Sequence, residues 1–337
     1  MAEPESYRLT VAEVITETAQ ACSLVFEPAP FDYLPGQFLT LRIPSDRCGS
    51  VARCYSLCSA PQAGEAPRVT VKRTPGGYAS NWICDNVRPG STIEVLAPAG
   101  IFRPHSFDGD LLFFAAGSGI TPVRSLVRSA LAVGTGTLTL VYANRDDRSV
   151  IFAGDLRALA EAHPERLRLI HWLESVQGLP NAAGLRALAA PFAAAEALIC
   201  GPKPFIAAVR TALAGLRVPR DRTHIERFVS LGSNPFEPVA APAADTVEST
   251  VDVSLDGARH RLSWPAQTRL LDALRDGGLA APYSCREGAC GACACRLVSG
   301  EVKMVHNEVL EQEDLDDGII LACQSLPVTE RVEISYE

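Results

Sequence analysis

The stretch SCREGACGACACRL (residues 284–297) places three cysteines where they can act on one centre. Four residues separate Cys285 from Cys290, two separate Cys290 from Cys293, and Cys323 follows in the segment ILACQS. Glycines at 288 and 291 predict an irregular loop over Cys285–Cys295, because residues without a Cβ let backbone N–H groups approach sulfur atoms. The four cysteines are therefore predicted to hold one metal centre.

A remote fourth cysteine after C-x4-C-x2-C is typical of a plant-type [2Fe–2S] cluster, which predicts Cys285, Cys290, Cys293 and Cys323 as its ligands. A structural zinc site is the alternative, but this spacing fits zinc ribbons poorly. Cys295 is assigned no ligand role and is expected to be a buried thiol. The segments VDVSLDG, HRLSWP and TRLLDALRDGG predict a hairpin and a helix. Residues 250–337 are thus expected to form an α+β (β-grasp) ferredoxin domain.

Apolar runs alternate with Ala/Leu-rich helical segments from residue 107 to residue 230. Strict alternation of this kind predicts parallel strands and a doubly wound α/β domain. The run LLFFAA leads directly into a glycine turn and a helix, as in phosphate-binding turns. Cys200-Gly201-Pro202, after the strand ALI, is predicted to supply the second half of the site, with Cys200 near the reacting nicotinamide carbon. The predicted nucleotide-binding residues are Gly117, Gly119, Ile120, Thr121, Pro122, Cys200, Gly201 and Pro202. Thr121 as a helix cap and Cys200 as a small buried thiol are the structural alternatives.

Asn144 and Arg145, after the segment TLTLVYA, are predicted to lie beside the nucleotide ribose. Arg145 could meet a 2′-phosphate, whereas Asp146 or Asp147 would repel one. NADH is therefore expected, with NADPH left open.

Residues 1–106 read as short alternating segments separated by turn residues, which predicts an antiparallel β-barrel or sandwich with one helical insertion over Ala79–Val87. Arg53-Cys-Tyr55-Ser56 has the R-x-Y-S pattern of the ferredoxin–NADP reductase superfamily, which the chain resembles. An Arg suits a flavin phosphate, a Tyr can lie along the isoalloxazine, and a Ser hydroxyl can reach the N5 region. The predicted flavin-binding residues are Arg53, Tyr55, Ser56, Leu57, Ser59, Val71, Lys72, Gly77, Tyr78, Ala79 and Ser80.

Residues 231–249, rich in Pro and Ala, are expected to be an interdomain linker. The order of a flavin barrel, a nucleotide domain and a ferredoxin resembles the reductase components of multicomponent oxygenases. Strings such as VKRTPGGYASNWICDNV and LEQEDLDDGIILACQS resemble 3-ketosteroid 9-alpha-hydroxylase reductases and, next, phenylacetyl-CoA epoxygenase reductases.

That resemblance implies an oxidoreductase that uses FAD rather than FMN and passes electrons from NADH through FAD and [2Fe–2S] to a terminal oxygenase, such as a Rieske component. It implies that Glu226 and Phe228 approach the flavin; a structural strand residue and a core aromatic are the alternatives. Ser56, Thr121, Cys200 and Glu226 are expected at the reacting centre. A di-iron epoxygenase as the partner, and a redox sensor instead of an enzyme, remain alternatives.

The chain has 337 residues and a formal net charge of −8, and residues 250–337 hold 15 acidic and 8 basic side chains. An acidic C-terminal domain suits a basic protein partner and argues against nucleic-acid binding, although it could serve solubility alone. Neither a signal peptide nor a membrane span is recognised, so a cytoplasmic protein without a membrane partner is expected.

Overall fold

A computed structural model describes residues 6–46, 48–232, 234–237 and 248–337. These residues form two compact units, one of residues 7–43 and 54–228 and one that includes residues 44–53 and 229–337. The predicted linker lies partly outside the described residues, at 233 and 238–247. The helices of the described residues are all too short or too polar to span a membrane.

The N-terminal elements form a six-stranded sheet in the order β4-β3-β6-β1-β2-β5. Leu57, directly after β4, bridges Val69 of β5, and the Cys58 N–H donates to the Arg68 carbonyl oxygen at 2.8 Å. These contacts join the two ends of the sheet and close it into the predicted antiparallel barrel. Its elements are β1 (Ser6–Thr18), β2 (Ala21–Phe26), β3 (Phe38–Ser45), β4 (Gly49–Ser56), β5 (Arg68–Lys72), α1 (Tyr78–Asn86) and β6 (Thr92–Leu96).

The next region is a five-stranded parallel sheet in the order β11-β10-β7-β8-β9, as the alternating pattern predicted. Its elements are β7 (Leu111–Ala116), α2 (Ile120–Val133), β8 (Leu138–Asn144), α3 (Ala153–Ala162), β9 (Leu167–Leu173), α4 (Glu174–Gln177), α5 (Ala182–Ala189), β10 (Glu196–Cys200), α6 (Lys203–Gly215) and β11 (Thr223–Glu226).

The side chains of β7 show why this sheet is covered on both faces. Leu111 and Phe113 pack into a core shared with α2 and α3, whereas Leu112 and Phe114 pack into a second core with α5 and α6. Successive strand residues point to opposite faces, so a continuous apolar run needs helices on both. The doubly wound arrangement follows from that run.

The C-terminal region combines a mixed five-stranded sheet, in the order β13-β12-β18-β14-β16, with the short pair β15 and β17. The predicted hairpin is β12 paired with β13, and α7 covers a core around the fully buried Trp264. The elements are β12 (Glu248–Leu255), β13 (Ala258–Pro265), α7 (Leu270–Asp276), β14 (Ala294–Ser299), β15 (Val302–Met304), α8 (Gln312–Asp316), β16 (Ile319–Leu321), β17 (Ser325–Pro327) and β18 (Arg331–Ser335).

Two local predictions differ from the structure. The inserted helix runs from Tyr78 to Asn86, one residue earlier than predicted at each end, because Gly77 precedes the first turn and Val87 is already extended. The cysteine loop ends at Cys293, since Cys295 belongs to β14 and pairs with Ile320 of β16. Cys295 is buried, as expected for a thiol without a ligand role.

Candidate cofactor-binding sites

The cysteine loop turns at Gly288, which has a φ of 78°. A Cβ atom there would lie 2.7 Å from the His306 carbonyl oxygen, so no side chain fits. The turn lets the N–H groups of Glu287 and Ala289 donate to the Cys285 sulfur, each at 3.4 Å. Backbone donors aimed at a sulfur stabilise its thiolate form, which is the form that binds metal.

The structure brings the four predicted ligand cysteines together. Cys285 contacts Cys290 and Cys323, and Cys323 also contacts Cys293. Hydrogen bonds from Cys290 and Cys323 are the main reason that the pKa of Cys285 falls to about 2, whereas Cys285, Cys293 and burial raise the pKa of Cys323. Four sulfur atoms held this close together can all be thiolates only around cations. The donor set therefore fits an iron–sulfur cluster.

Gln324, which the sequence analysis did not single out, links the cysteine loop to Arg269. Its buried amide donates from Nε2 to the Arg286 carbonyl oxygen at 2.8 Å and accepts at Oε1 from Arg269 at 2.8 Å. Arg286 also pairs with Asp272 of α7. The only sequence signal was the position of Gln324 directly after Cys323, because its partners are distant in the chain.

The carboxyl ends of β7 and β10 meet in the nucleotide-binding region of the parallel sheet. Gly119 packs against the backbone of Cys200 and Gly201; a Cβ atom at residue 119 would lie 2.1 Å from the Cys200 carbonyl oxygen. Thr121 donates from Oγ1 to the Ser118 carbonyl oxygen at 3.0 Å and does not cap the helix. Its hydroxyl closes the turn, and its predicted place at the reacting centre stays a prediction.

Remaining residues of this motif flank the junction. Ile120 begins α2 and is fully buried, followed by the buried Pro122, while Pro202 is exposed and caps α6. The structure thus joins both halves of the predicted nucleotide motif at one edge of the sheet.

Cys200 and Glu226 are neighbours across the parallel pair of β10 and β11. Cys200 is fully buried, and burial together with the nearby Glu226 raises the pKa of its thiol. Burial raises the pKa of Glu226 to about 8. A carboxyl that stays protonated near neutral pH and a neutral thiol therefore lie together at the carboxyl edge, where ligands bind in open α/β sheets.

Asn144 is a buried residue with an unused hydrogen-bonding capacity. It is 3% exposed, and neither its amide nitrogen nor its amide oxygen has a hydrogen-bond partner among the described residues. The amide lies near the Tyr142 hydroxyl, which instead donates to the Gly117 carbonyl oxygen at 3.0 Å. A buried polar side chain without partners is costly, so this amide is suited to a bound ligand.

Lys72 approaches the same glycine turn, and Arg145 lies near Lys72. The Lys72 ammonium lies 3.1 Å from the position of a Cβ atom on Gly117. Burial is the main reason that the pKa of Lys72 is lowered, and the nearby Arg145 lowers it further, while Glu174 opposes both. Two close cations favour an anionic ligand such as a phosphate, so the predicted Lys72 and Arg145 contacts share one location.

The predicted flavin residues differ in what their side chains can offer. Leu57 and Val71 are fully buried in the barrel, which leaves only their backbone for a cofactor, and Ser56 is buried as well. The Ser59 hydroxyl is engaged, since it pairs with the Tyr33 hydroxyl at 2.6 Å and accepts from the Arg68 N–H at 2.9 Å. Ser59 therefore positions its neighbours, and its contact with a flavin stays a prediction.

Arg53 and Tyr55 are both half-buried. Arg53 donates from Nη1 to the carbonyl oxygens of Ala52 at 2.6 Å and Leu231 at 3.1 Å. A guanidinium has five N–H donors, so these two bonds leave donors for a phosphate.

The start of α1 is a rigid turn. Gly77 has no room for a side chain, because a Cβ atom would lie 2.9 Å from the Thr74 Cβ. The Ser80 hydroxyl accepts from the Thr74 N–H at 3.0 Å, and Asn81 donates to the Gly77 carbonyl oxygen at 2.6 Å. A helix N-terminus held in this way favours an anion. Ala79 is buried and Tyr78 is 46% exposed.

Phe228, expected near the flavin or in the core, is 49% exposed. The core-aromatic alternative is therefore wrong. An exposed ring at the end of the segment after β11 is free to contact a ligand.

Comparisons with known proteins identify three domains in this chain. An oxidoreductase FAD-binding domain matches residues 7–103, an oxidoreductase NAD-binding domain residues 113–211, and a 2Fe-2S iron-sulfur cluster binding domain residues 253–328. The ferredoxin reductase component of 3-ketosteroid-9-alpha-monooxygenase from Mycobacterium tuberculosis is 55% identical over 98% of this chain and 95% of its own length.

Two further matches cover nearly whole chains. A component of the 1,2-phenylacetyl-CoA epoxidase from Escherichia coli is 33% identical over 98% of this chain and 98% of its own. The solved structure of phthalate dioxygenase reductase is 25% identical over 98% of each chain, with a TM-score of 0.59. These matches confirm the predicted fold class and the three cofactors, FAD, NAD and a [2Fe–2S] cluster.

Proposed function

Because this chain belongs to the family of ferredoxin reductase components of 3-ketosteroid-9-alpha-monooxygenases, we propose that it delivers electrons from NADH to a Rieske-type oxygenase component of a steroid hydroxylase. It is an oxidoreductase with FAD-, NAD- and 2Fe-2S-binding domains. The observation that carries the proposal is that Cys285, Cys290, Cys293 and Cys323 converge on one point. The same chain also holds a parallel sheet whose carboxyl edge carries both halves of the predicted nucleotide motif.

Within this proposal, each cofactor has a set of residues that holds it. Cys285, Cys290, Cys293 and Cys323 bind the cluster, with Gln324 as a positioning residue. When bound, FAD would supply the conversion of a two-electron transfer from the nicotinamide into the single-electron transfers that a [2Fe–2S] cluster requires.

The barrel residues hold the flavin in two ways. Arg53 and the first turn of α1, from Gly77 to Ser80, bind phosphate, while Tyr55 and Ser56 contact the ring system. Exclusion of water and close positioning of the two rings are the chain's contribution to the rate.

The carboxyl edge of the parallel sheet holds the nicotinamide nucleotide. Asn144, with its unpartnered amide, binds the ribose side, and Arg145 approaches the phosphates. Lys72, which was predicted at the flavin, lies beside the Gly117 turn and joins Arg145 there. Cys200 and Glu226 line the nicotinamide end. The raised pKa of Glu226 keeps its carboxyl uncharged near neutral pH, so it can donate a hydrogen bond there.

The choice of oxygenase follows from the relatives. The steroid monooxygenase reductase is 55% identical, whereas the phenylacetyl-CoA epoxidase component is 33% identical over a similar span. A di-iron epoxygenase is therefore the second candidate partner. None of the seven cysteines outside the cluster motif forms a disulfide among the described residues, which supports a cytoplasmic location.

The test is anaerobic reduction of purified candidate oxygenases by this protein in stopped flow. NADH with the wild-type protein should reduce the steroid Rieske oxygenase, and Cys290→Ser should abolish that reduction while NADH-dependent dye reduction by the flavin persists. Cys48→Ser, which removes an exposed thiol, is the matched control and should reduce the oxygenase normally. Faster reduction of the di-iron oxygenase would favour the second partner, and reduction of neither would favour a sensor.

A further inference from the structure

Two cysteines outside the cofactor sites, Cys22 of β2 and Cys84 of α1, lie with their sulfur atoms 3.3 Å apart. Cys22 is buried and Cys84 is half-buried. We propose that this pair is a redox-sensitive site at which hydrogen peroxide forms a reversible disulfide, and that the disulfide clamps α1 onto the barrel.

The geometry suits such a bond. Cys22 is the register partner of Val71 in the pairing of β2 with β5, and Cys84 lies over the same point, with its sulfur 3.9 Å from the Val71 carbonyl oxygen. A disulfide holds its sulfurs about 2 Å apart, so the side chains need to move by little more than 1 Å. The pair is separated by 62 residues of chain, so the bond would tie a helix to a distant strand.

The surrounding charges prepare one sulfur as the nucleophile. The hydrogen bond from Cys22, and then the charge of Arg73, lower the pKa of Cys84 to about 7, against burial and Asp85. Arg73 is held in place by Asp85 at 2.6 Å and by the Asn81 side chain at 3.2 Å. The same contact raises the pKa of Cys22. About half of the Cys84 side chains are thus thiolates near neutral pH, and the thiolate is the reactive form of a cysteine.

The chemistry balances with hydrogen peroxide as the oxidant. The Cys84 thiolate attacks one peroxide oxygen, the O–O bond breaks, and hydroxide leaves a sulfenic acid on Cys84. Cys22 loses its proton and attacks that sulfur; the S–S bond forms, the S–O bond breaks, and a second hydroxide leaves. Protons from the two thiols convert both hydroxides into water, and two electrons have passed from the thiols to peroxide. A cellular dithiol reverses the bond by exchange.

The consequence concerns flavin retention, and this step rests on the proposed function. Helix α1 begins at the rigid Gly77 turn to which we assign the flavin phosphates. A bond from Cys84 to β2 would restrain the helix against local opening and would slow flavin release. Hydrogen peroxide forms wherever reduced cofactors meet dioxygen. The Cys22–Cys84 disulfide would therefore report electrons that pass to dioxygen instead of to the oxygenase.

Peptide mapping tests the bond directly in the full-length protein with its cofactors. Trypsin should release Cys22 within residues 9–42 and Cys84 within residues 74–124, because Arg88 and Arg103 precede prolines; each peptide carries a single cysteine. After brief peroxide treatment and alkylation, we expect the two peptides linked, with the mass of two hydrogen atoms lost, and separated by dithiothreitol. Recovery of both peptides separately alkylated, or of Cys84 as sulfinic acid beside a free Cys22, would overturn the proposal.

Variants separate the bond from its proposed effect. Cys22→Ser and Cys84→Ser should each abolish the linked peptide, whereas Cys48→Ser should retain it, and Arg73→Gln should slow its formation severalfold. The linked wild-type protein should release flavin severalfold more slowly than the thiol form. Equal release rates would overturn the clamp, and they would leave the proposed function intact if untreated protein still reduces the oxygenase.

Discussion

Gly119 and Cys200 approach so closely that a Cβ atom on residue 119 would lie 2.1 Å from the Cys200 carbonyl oxygen. This approach joins the turn after β7 to the end of β10, and both are backbone segments that cannot rotate away. The nucleotide edge therefore depends on the absence of a side chain at residue 119.

Replacement of this glycine tests that dependence. Gly119→Ala should lower the free energy of unfolding by about 2 kcal/mol or more, because the two strand ends must separate. It should also raise the KM for NADH strongly. Thermal unfolding and steady-state dye reduction measure the two effects.

Gly154→Ala is the matched control. Gly154 lies in the first turn of α3, and a Cβ atom there would meet nothing within 4 Å. Alanine is the better helix former, so the free energy of unfolding of this variant should equal that of wild type or exceed it by up to about 0.5 kcal/mol. The KM for NADH should be unchanged. Equal effects of the two substitutions would contradict the role assigned to the Gly119 contact.

The comparison of β7 with the turn after it shows how far the sequence could go. The run LLFFAA predicted a strand covered on both faces, and the glycines predicted the turn, since both signals are local. The sequence could not show that the Thr121 hydroxyl hydrogen-bonds to the Ser118 carbonyl oxygen, or that the Ser59 hydroxyl hydrogen-bonds to the Tyr33 hydroxyl. Those bonds depend on the folded backbone, and motif spacing does not contain them.

Gln324 provides a second test, this time of the cluster loop. Gln324→Leu removes the bonds to Arg286 and Arg269 and leaves a buried carbonyl oxygen and a guanidinium with fewer partners. A loss of about 1–3 kcal/mol in local stability is expected. The visible absorbance of the cluster should therefore decay faster during incubation with an iron chelator.

The same substitution at an exposed glutamine controls for the change in hydrophobicity. Gln312 of α8 is exposed, so Gln312→Leu should leave the decay rate at the wild-type value. Decay in Gln324→Leu that is no faster than in this control would show that Gln324 does not position the loop. No sequence pattern predicted this residue, because its partners lie 38 and 55 residues away in the chain.

The partly buried carboxyl of Glu226 predicts a dependence of the free energy of unfolding on pH. Its pKa is raised to about 8 in the folded protein, above the value of an unfolded glutamate. The folded state therefore binds a proton that the unfolded state has lost, so this contribution to stability is full at low pH and declines as the pH rises to about 8. Partial exposure of the residue limits the effect to on the order of 2 kcal/mol.

Glu226→Gln keeps the size and the hydrogen-bond donor but cannot ionise. The variant should lack this decline. The difference between its thermal midpoint and that of wild type should therefore grow from about pH 5 to about pH 8, the interval over which the shifted carboxyl of the wild type matters. Parallel midpoints of the two proteins across that interval would mean that Glu226 ionises normally. Dye reduction at low pH, where both side chains are neutral, checks that the site is intact.

Asp146 allows the nucleotide preference to be tested apart from folding. Its carboxylate accepts from the Ser149 N–H at 2.9 Å and caps the turn after β8, so removal of the side chain would disturb the turn itself. Asp146→Asn keeps the capping oxygen and removes only the negative charge. If that charge repels a 2′-phosphate, kcat/KM for NADPH should rise about tenfold, which corresponds to about 1.4 kcal/mol, while kcat/KM for NADH stays unchanged.

Asp147→Asn is the companion variant at an exposed position, and a gain confined to it would move the discriminating charge one residue along the chain. No gain in either variant would show that neither carboxylate excludes NADPH, and that Arg145 must then be tested next.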